Sequence, residues 1–329
     1  MVRVAAAQAA SVWLDPAATT AKVIQLLEQA SRQGVQLLAF PETFLSGYPF
    51  WVMLGGGGRF GDPEQARAYA AYLEAAVELD GPEVRQVAEA AGDLRVFTYL
   101  GITERGCGAG RGTVYCTLIA IDPERGVVGA HRKLNPTYAE RLVWGRGDGH
   151  GLRTHQAGPL RVGGLNCWEN WMPLARYALY ADGEEAHIAA WPGSAAQTRD
   201  IVRFIALEGR VYVVLASGLI SAETVPPDFP FFNLIADKPV GFYNGGSCIA
   251  APDGSWVVEP LIGEEGLLVA EIDPARIAAA RLSFDATGHY ARPDVFALTV
   301  DRQRQAAVAF KDEAPATVSR PQARSDGSR

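Results

Sequence analysis

The sequence is poor in the residues that hold metal ions and disulfides. Its 329 residues include only four cysteines and five histidines, with no Cys-x-x-Cys pair and no His-Glu-x-x-His segment. Those spacings are the usual marks of zinc sites and redox motifs. We therefore expect no metal and no cofactor. We also expect free thiols, because disulfides are rare in long chains without an export signal.

A basic patch and a long apolar run are also missing. The net charge is −7 and the lysines and arginines are scattered, so nothing predicts contacts with a row of phosphates, and nucleic acid is not an expected partner. No stretch approaches the roughly 18 apolar residues that a membrane span needs. The first residues, MVRVAAAQAASVW, do not resemble a signal peptide. We expect no membrane partner and a cytoplasmic location.

What the chain does have is the composition of a large globular protein. It is 48% hydrophobic and 20% charged, which allows a substantial buried core. No linker-like segment interrupts it before residue 220, so we predict a single domain over residues 1–312. Residues 313–329 are polar and rich in proline, serine and arginine, and we expect this tail to be disordered.

Strand-like and helix-like segments alternate along the chain and predict an α/β fold. Strands are predicted over residues 2–8, 35–40, 160–166 and several later apolar runs, and helices over residues 63–79, 82–91, 173–181 and 198–209. Pro252-Asp253-Gly254 separates two late strands and predicts an antiparallel hairpin. The sheets should therefore be mixed rather than wholly parallel.

The sharpest chemical signal is Cys167, at the end of the strand-like run in LRVGGLNCWENWMP. Pro173 suits the first turn of the helix that follows. A thiol at such a strand-to-helix turn is exposed above the sheet, and nearby backbone N–H groups favour its thiolate. We therefore interpret Cys167 as a nucleophile. The other three cysteines, Cys107, Cys116 and Cys248, are assigned structural roles.

Two charged residues also stand where predicted strands end. Glu42 follows one strand in FPETFLSGYP, and Lys133 closes another in HRKLNPT. Side chains at strand ends often share one site. A carboxylate can accept the thiol proton, and a fixed ammonium would favour the thiolate and stabilise negative charge on a substrate.

Together these motifs resemble the nitrilase branch of the carbon–nitrogen hydrolase superfamily. Its Glu-Lys-Cys triad is matched by Glu42, Lys133 and Cys167 in order and spacing, and PTYAERLVWGRGDG matches the segment that carries the family's second essential glutamate, here Glu140. The resemblance covers about residues 2–305 and implies a nitrilase-like α-β-β-α sandwich. The segment CWE is similar to true nitrilases. The chain departs from the family at Asn166, where an apolar residue is usual, and at Cys116, where asparagine is common.

The resemblance implies hydrolysis of an organic nitrile to a carboxylic acid and ammonia, through a thioimidate and a thioester on Cys167. Glu140 would position Lys133 or the substrate. It also implies a homo-oligomer, either a dimer or a larger spiral assembly. Positions beside the triad motifs indicate a small-molecule pocket with apolar walls, formed by Tyr48, Trp168, Asn170, Trp191 and the aromatic segment 220–246.

Other functions fit parts of the same pattern. A cyanide hydratase or dihydratase, an aliphatic amidase and a carbamoylase use the same triad. A papain-type hydrolase would need a histidine rather than Glu42 as its base. A binding protein without catalysis is a further alternative, because a fold does not determine a function. The identity of the product released from a nitrile separates the enzymes.

Overall fold

The computed structural model describes residues 1–55, 58–236, 243–306 and 308, so the predicted tail at 313–329 lies outside the described residues. The strands within these ranges are β1 (Val2–Gln8), β2 (Leu37–Ala39), β3 (Phe97–Arg105), β4 (Val114–Asp122), β5 (Gly126–Arg132), β6 (His155–Ala157), β7 (Leu160–Asn166), β8 (Ala186–Trp191), β9 (Tyr212–Ser217), β10 (Leu219–Ile220), β11 (Tyr243–Asn244), β12 (Cys248–Ala250), β13 (Trp256–Val258) and β14 (Gly266–Ile272). The α-helices are α1 (Pro16–Arg32), α2 (Phe50–Leu54), α3 (Pro63–Glu74), α4 (Pro82–Leu94), α5 (Pro173–Ala181), α6 (Ala195–Gly209), α7 (Asn233–Ala236) and α8 (Pro274–Arg281).

The strands form two larger sheets and a short two-stranded one. The first sheet has the order β14-β1-β2-β3-β4-β5 and the second the order β13-β12-β9-β8-β7-β6. Each contains parallel pairs at its centre and antiparallel pairs towards its edges. Strands β12 and β13 form the hairpin expected at Pro-Asp-Gly, with Gly254 at φ +76°. The prediction of mixed sheets is confirmed.

Helices cover the outer faces of the two sheets and give an α-β-β-α sandwich. Along β1, Val4 and Ala6 face the core between the sheets, whereas Ala5 and Ala7 face the core under α1 and α4. Successive residues of a strand point to opposite faces. Because both faces are buried, the central strands are continuous apolar runs rather than alternating ones. Helix α6 covers the outer face of the second sheet in the same way. The predicted fold class is confirmed.

Helix α3 is shorter than the sequence predicts. It ends at Glu74 rather than continuing to residue 79. The chain beyond it pairs with the last residues of β3: the Val77 N–H donates to the Thr103 carbonyl at 2.9 Å, and the Arg105 N–H donates to the Val77 carbonyl at 2.7 Å. Val77 is also buried in the core under the first sheet. The apolar residues after Glu74, whose spacing predicted a helix, therefore lie in an extended segment.

The strand ends that carry the predicted site lie at one end of the sandwich. Glu42 follows β2 and Lys133 follows β5 in the first sheet, while Cys167 follows β7 in the second. Trp191 is the last residue of the neighbouring strand β8. Among the described helices, none combines the length and the apolar character that crossing a membrane requires.

Candidate active site

The turn after β2 buries the side chain of Glu42. The Phe40 N–H donates to the Tyr99 carbonyl of β3 at 2.8 Å, and Thr43 then turns the chain with φ +48°. Strand β3 carries Gly101 at the contact, where a Cβ atom would lie 2.1 Å from the Pro41 carbonyl oxygen. Glycine is therefore needed at position 101. The tight packing leaves Glu42 only 2% exposed.

Lys133 is held at the end of β5 by its backbone on both sides. Its N–H donates to the Cys116 carbonyl at 2.8 Å, and its carbonyl accepts from the Gly147 N–H at 2.8 Å. Its ammonium donates to Glu42 Oε1 at 2.8 Å and to Glu140 Oε2 at 2.8 Å. The Lys133 side chain has no solvent exposure, so a buried cation joins two carboxylates.

Glu140 lies in a 3₁₀ helix, Tyr138–Leu142, whose N-cap is Thr137. The Thr137 N–H donates to Glu140 Oε2 at 2.6 Å, and the Tyr48 hydroxyl donates to Oε1 at 2.7 Å. Together with Lys133, these donors satisfy both carboxylate oxygens. Glu140 is therefore fixed in one orientation. Because Glu140 accepts a hydrogen bond from Lys133, it also fixes the position of the Lys133 ammonium.

Cys167 stands at a sharp turn between β7 and α5. Its φ of +48° is unusual for a residue with a side chain. A 3₁₀ helix, Cys167–Trp171, separates the strand from α5. The predicted strand-to-helix turn is therefore present, with one extra tight turn in it. The side-chain ligand atoms of Glu42, Glu140 and Cys167 all lie within 4.8 Å of one another.

Burial and the neighbouring charges have opposing effects on the pKa of each of these groups, and all three pKa values are raised. Burial raises the pKa of Glu42 to about 7, although Lys133 opposes the shift. Burial likewise raises the pKa of the Cys167 thiol well above its ordinary value, again against the effect of Lys133. Burial disfavours the charged form of Lys133, but the negative charges around it outweigh this, and its pKa is raised. Near neutral pH the group therefore holds an ammonium, a thiol and a carboxyl poised to exchange its proton.

The two carboxylates and the thiol are close enough to ligate a metal ion. The ammonium of Lys133 lies 2.8 Å from both carboxylates. It already supplies the positive charge that two adjacent carboxylates need. We interpret the group as an ion-paired cluster.

A cavity of about 300 Å³ opens beside Cys167. Tyr48, Trp168 and Trp191, all expected in the pocket from the sequence, line it. Further lining residues were not expected there from the sequence, namely Met53, Thr137, Pro192, Gly193, Ser194, Ala196 and Gln197. Many of these follow Trp191 in WPGSAAQ. These residues follow the end of a strand, as Glu42 and Lys133 do, so the same sequence signal could have identified them.

Asn170 does not line this cavity, contrary to the expectation from the sequence. It is fully buried behind the nucleophile, where its side-chain N–H groups donate to the Cys167 carbonyl at 2.8 Å and to the Leu165 carbonyl at 3.3 Å. Its Oδ1 contacts His187 Nε2 at 2.8 Å. The 3₁₀ turn aims the side chain three residues back along the backbone, away from the substrate side. Asn170 therefore holds the turn that carries Cys167.

Cys116 was assigned a structural role, but it contacts the site. Its thiol lies 3.2 Å from Glu42 Oε1 and donates a hydrogen bond to it. Of the other two cysteines, Cys248 lies in the core under α6, as a structural cysteine should, whereas Cys107 is exposed. Cys116 thus shares Glu42 Oε1 with Lys133, while Glu42 Oε2 is buried and has no hydrogen-bond partner among the residues that the structure describes. That second oxygen is the one left to accept a proton.

The aromatic segment 220–246 reaches the cavity at only part of its described length. Tyr243 lines the cavity. Phe229 instead packs against Trp13 and Phe50, with ring centroids 5.4 and 5.8 Å away. Residues 237–242 lie outside the described residues. Most of the described aromatic side chains here therefore belong to a core cluster and not to the wall of the cavity beside Cys167.

Comparison with known proteins agrees with this geometry. Over 94% of this chain and 96% of that protein, the sequence is 39% identical to a protein named nitrilase 2 from an unknown prokaryotic organism. It is also 39% identical to a protein of Sinorhizobium fredii named aliphatic nitrilase, over 93% of this chain and 97% of that protein. The chain covers nearly the full length of both relatives.

The structural comparison shows the same fold. A carbon–nitrogen hydrolase superfamily protein from Xanthomonas campestris matches with a TM-score of 0.67 at 18% identity, over 91% of this chain and 99% of that one. The family model described as carbon-nitrogen hydrolase matches residues 3–282. With most of its length matched by this family, the chain belongs to the carbon–nitrogen hydrolases.

Proposed function

We propose that this protein is a nitrilase that converts an organic nitrile and two molecules of water into a carboxylic acid and ammonia. The observation that carries the proposal is the buried cluster in which Lys133 joins Glu42 and Glu140 beside the thiol of Cys167. Relatives named nitrilase match almost the whole chain. In this proposal Cys167 is the nucleophile, Glu42 the general base and Lys133 the group that stabilises charge.

The first step forms a covalent bond to the nitrile carbon. Glu42 accepts the Cys167 proton as Sγ attacks, a carbon–sulfur bond forms, and one π bond of the nitrile breaks. The nitrogen gains the electron pair and then the proton from Glu42, which leaves a thioimidate on Cys167. Lys133 donates a hydrogen bond to the nitrogen while its negative charge develops.

Two hydrolytic steps complete the reaction. Glu42 takes a proton from water as the water oxygen adds to the thioimidate carbon, and returns this proton to the nitrogen. The new hydroxyl group then gives its proton, through Glu42, to the same nitrogen, and the carbon–nitrogen bond of the tetrahedral species breaks as ammonia leaves. A second water attacks the resulting thioester, the carbon–sulfur bond breaks, and the acid is released with the thiol restored. A pKa of about 7 suits a group that accepts and returns protons in each step. Glu140 holds Lys133 in place throughout.

The cavity supports an uncharged small molecule as the substrate. Its walls include the rings of Tyr48, Trp168 and Trp191, with Glu140 the only ionisable carboxylate among its lining residues in the described part of the chain. A volume of about 300 Å³ is at the small end of the range for ligand sites. We propose these three aromatic residues as substrate contacts.

Product analysis tests the proposal. The purified protein is incubated with aliphatic, aryl and arylaceto nitriles, with the amides that correspond to them, and with cyanide. We expect acid and ammonia in equal amounts from at least one organic nitrile. Amide release without ammonia would indicate a hydratase, turnover of amides alone an amidase, and turnover of cyanide alone a cyanide-degrading enzyme.

A trapped intermediate tests the covalent route separately. After an acid quench with a slow nitrile, the intact mass should rise by one imidate or acyl unit, and peptide mapping should place it on Cys167. The same quench without nitrile is the control. An adduct found on Cys107 or Cys248 would contradict the proposed nucleophile.

We also propose that the protein acts as a homo-oligomer, in the cytoplasm, with residues 1–312 as one domain. Large apolar side chains such as Trp171, Leu174 and Phe204 are exposed on and beside α5 and α6, and a second copy would cover them. The cysteines in the described part of the chain are free, and a thiol nucleophile favours a reducing compartment. Light scattering tests the assembly, and an active monomer would contradict it.

A further inference from the structure

Glu169 lies two residues after Cys167 and contacts both halves of the site. Its side chain is fully buried. Oε1 accepts a hydrogen bond from the Leu134 N–H at 2.6 Å, and Oε2 accepts one from the Asn166 N–H at 3.0 Å. Leu134 directly follows Lys133, and Asn166 directly precedes Cys167. One carboxylate therefore holds the backbone beside the ammonium and the backbone beside the thiol.

The two backbone groups belong to different sheets. Leu134 follows β5 of the first sheet, and Asn166 ends β7 of the second. Each oxygen of Glu169 accepts from one of them, so the carboxylate joins the two layers at the end where the site lies. Hydrogen bonds of this kind, from N–H groups to an ionised acceptor, are among the stronger ones in proteins.

His131 of β5 completes the arrangement. Its Nε2 lies 3.1 Å from Glu169 Oε2 and 3.2 Å from Oε1, and it carries the proton because an ionised carboxylate only accepts. Burial opposes the ionisation of Glu169, but His131 and the two backbone donors outweigh it, and the pKa of Glu169 is lowered. The carboxylate is thus held in its charged, accepting form.

We propose that Glu169 is a positioning residue that fixes the distance between Lys133 and Cys167 across the two sheets. The inference rests on the proposed roles of those two residues. Glu169 is not expected to contact the substrate, because it is not among the described residues that line the cavity beside Cys167. Displacement of a reacting group by about 1 Å can lower a rate on the order of 100-fold, so a residue that sets this distance should act on turnover.

The substitution Glu169→Gln separates positioning from simple support of the fold. The two backbone N–H groups bond to different oxygens of Glu169. In the same position an amide presents one oxygen and one NH₂ group, so one of these N–H groups faces a donor. We expect kcat to fall on the order of 100-fold with KM nearly unchanged. The matched control is Glu185→Gln. Glu185 Oε2 accepts from the Arg161 N–H at 2.9 Å, at the opposite end of β7, and this variant should keep both constants.

A second measurement does not require nitrile turnover. Iodoacetamide alkylates thiolates, and exposed Cys107 provides a reference rate in the same molecule. A cation close to a thiol lowers the thiol pKa by roughly 1–3 units, so moving Lys133 away should lower the ratio of Cys167 to Cys107 adducts by about tenfold in the Glu169→Gln protein. The Glu185→Gln protein should keep the wild-type ratio.

A pair of His131 variants covers the case in which Glu169→Gln does not fold. His131→Leu removes the donor to Glu169, whereas His131→Gln keeps an N–H in reach. We expect kcat to fall in the leucine variant and to be partly restored in the glutamine variant. Equal loss in both variants would overturn the proposal, as would a folded Glu169→Gln protein with wild-type kcat and a wild-type adduct ratio. A changed adduct ratio in a protein without nitrile turnover would contradict the proposed function and leave the role of Glu169 standing.

Discussion

The two ends of strand β7 hold their charges in opposite ways. At the Cys167 end, the side chains of Glu42, Lys133 and Glu140 are no more than 1% exposed. At the other end, Asp182 forms an ion pair with Arg302 in which the side chains are 22% and 29% exposed. One end therefore removes its ions from water and the other leaves them partly solvated.

The difference in exposure indicates that the charges at the Cys167 end stabilise the fold less than their number suggests and are kept for the reaction. A buried ion pair loses hydration that its mutual attraction only partly returns, whereas a partly exposed pair contributes little in either direction. The buried charges remain stable because each has hydrogen-bond partners, and Lys133 alone has two carboxylates. Substitutions at the Cys167 end should therefore change both activity and stability, and those at the other end should change neither strongly.

The largest expected effect is the loss of all turnover in Cys167→Ala. No other thiol stands at a strand-end turn beside Lys133 and Glu42, within the residues that the structure describes. Without the sulfur no thioimidate forms, so ammonia release should fall to the background rate. Cys248→Ala and Cys107→Ala should keep the wild-type kcat. Nitrile turnover that survives in Cys167→Ala would show that the reaction does not take place at this end of β7.

Lys133→Ala should lower activity and stability together. The substitution leaves two adjacent buried carboxylates without a cation, and breaking a buried ion pair destabilises a protein by about 3–5 kcal/mol. The loss of charge stabilisation should lower kcat by on the order of 100-fold or more. Lys22→Ala is the matched control, because Lys22 pairs with the half-exposed Glu265. A chemical denaturation series on both variants measures the difference, and equal stability losses would contradict it.

The sequence predicted those features that depend on local pattern. Strands 2–8 and 160–166 were predicted with the bounds that the structure shows, because both faces of a central strand are buried and the apolar run is uninterrupted. Glu42, Lys133 and Cys167 were singled out because each follows such a run. Parallel strands bring their carboxyl ends to one edge, so this local signal also predicted that the three would meet.

Features that depend on distant pairing could not be predicted in the same way. The contact between Cys116 and Glu42 joins residues 74 positions apart, and no local spacing encodes it. Helix α3 ends early because Val77 pairs with the backbone of Thr103 and Arg105, which competes with the apolar spacing seen in the sequence. Both cases are tertiary contacts that override a local preference.

The pH dependence should show the buried state of Glu42. The base must be ionised to accept the thiol proton, so with its pKa raised to about 7, kcat/KM should fall about tenfold per pH unit below that value. A nitrile without ionisable groups is the required substrate. The thiol of Cys116 lowers the pKa of Glu42 by donating to it, so Cys116→Val should move the acid limb to higher pH. An acid limb near the ordinary value of 4.5 would mean that the site is more solvated than the buried cluster requires.

The smallest effect on activity should come from Asn170→Ala. This variant tests whether the residues behind the Cys167 turn and those in front of it have different roles. Asn170 donates to the Cys167 carbonyl at 2.8 Å from behind the turn, whereas Gln197 lines the cavity in front of it. Each buried group that Asn170→Ala leaves without its hydrogen bond costs about 1–3 kcal/mol, and the loss of the bond to the Cys167 carbonyl should appear as a less rigid turn at a residue with φ +48°. We expect Asn170→Ala to lower kcat about tenfold with little change in KM, and Gln197→Ala to change KM with little change in kcat. Steady-state kinetics on one nitrile measures both constants. If Asn170→Ala raised KM at constant kcat, Asn170 would be a substrate contact, as the sequence suggested, and the cavity would have to extend behind the turn.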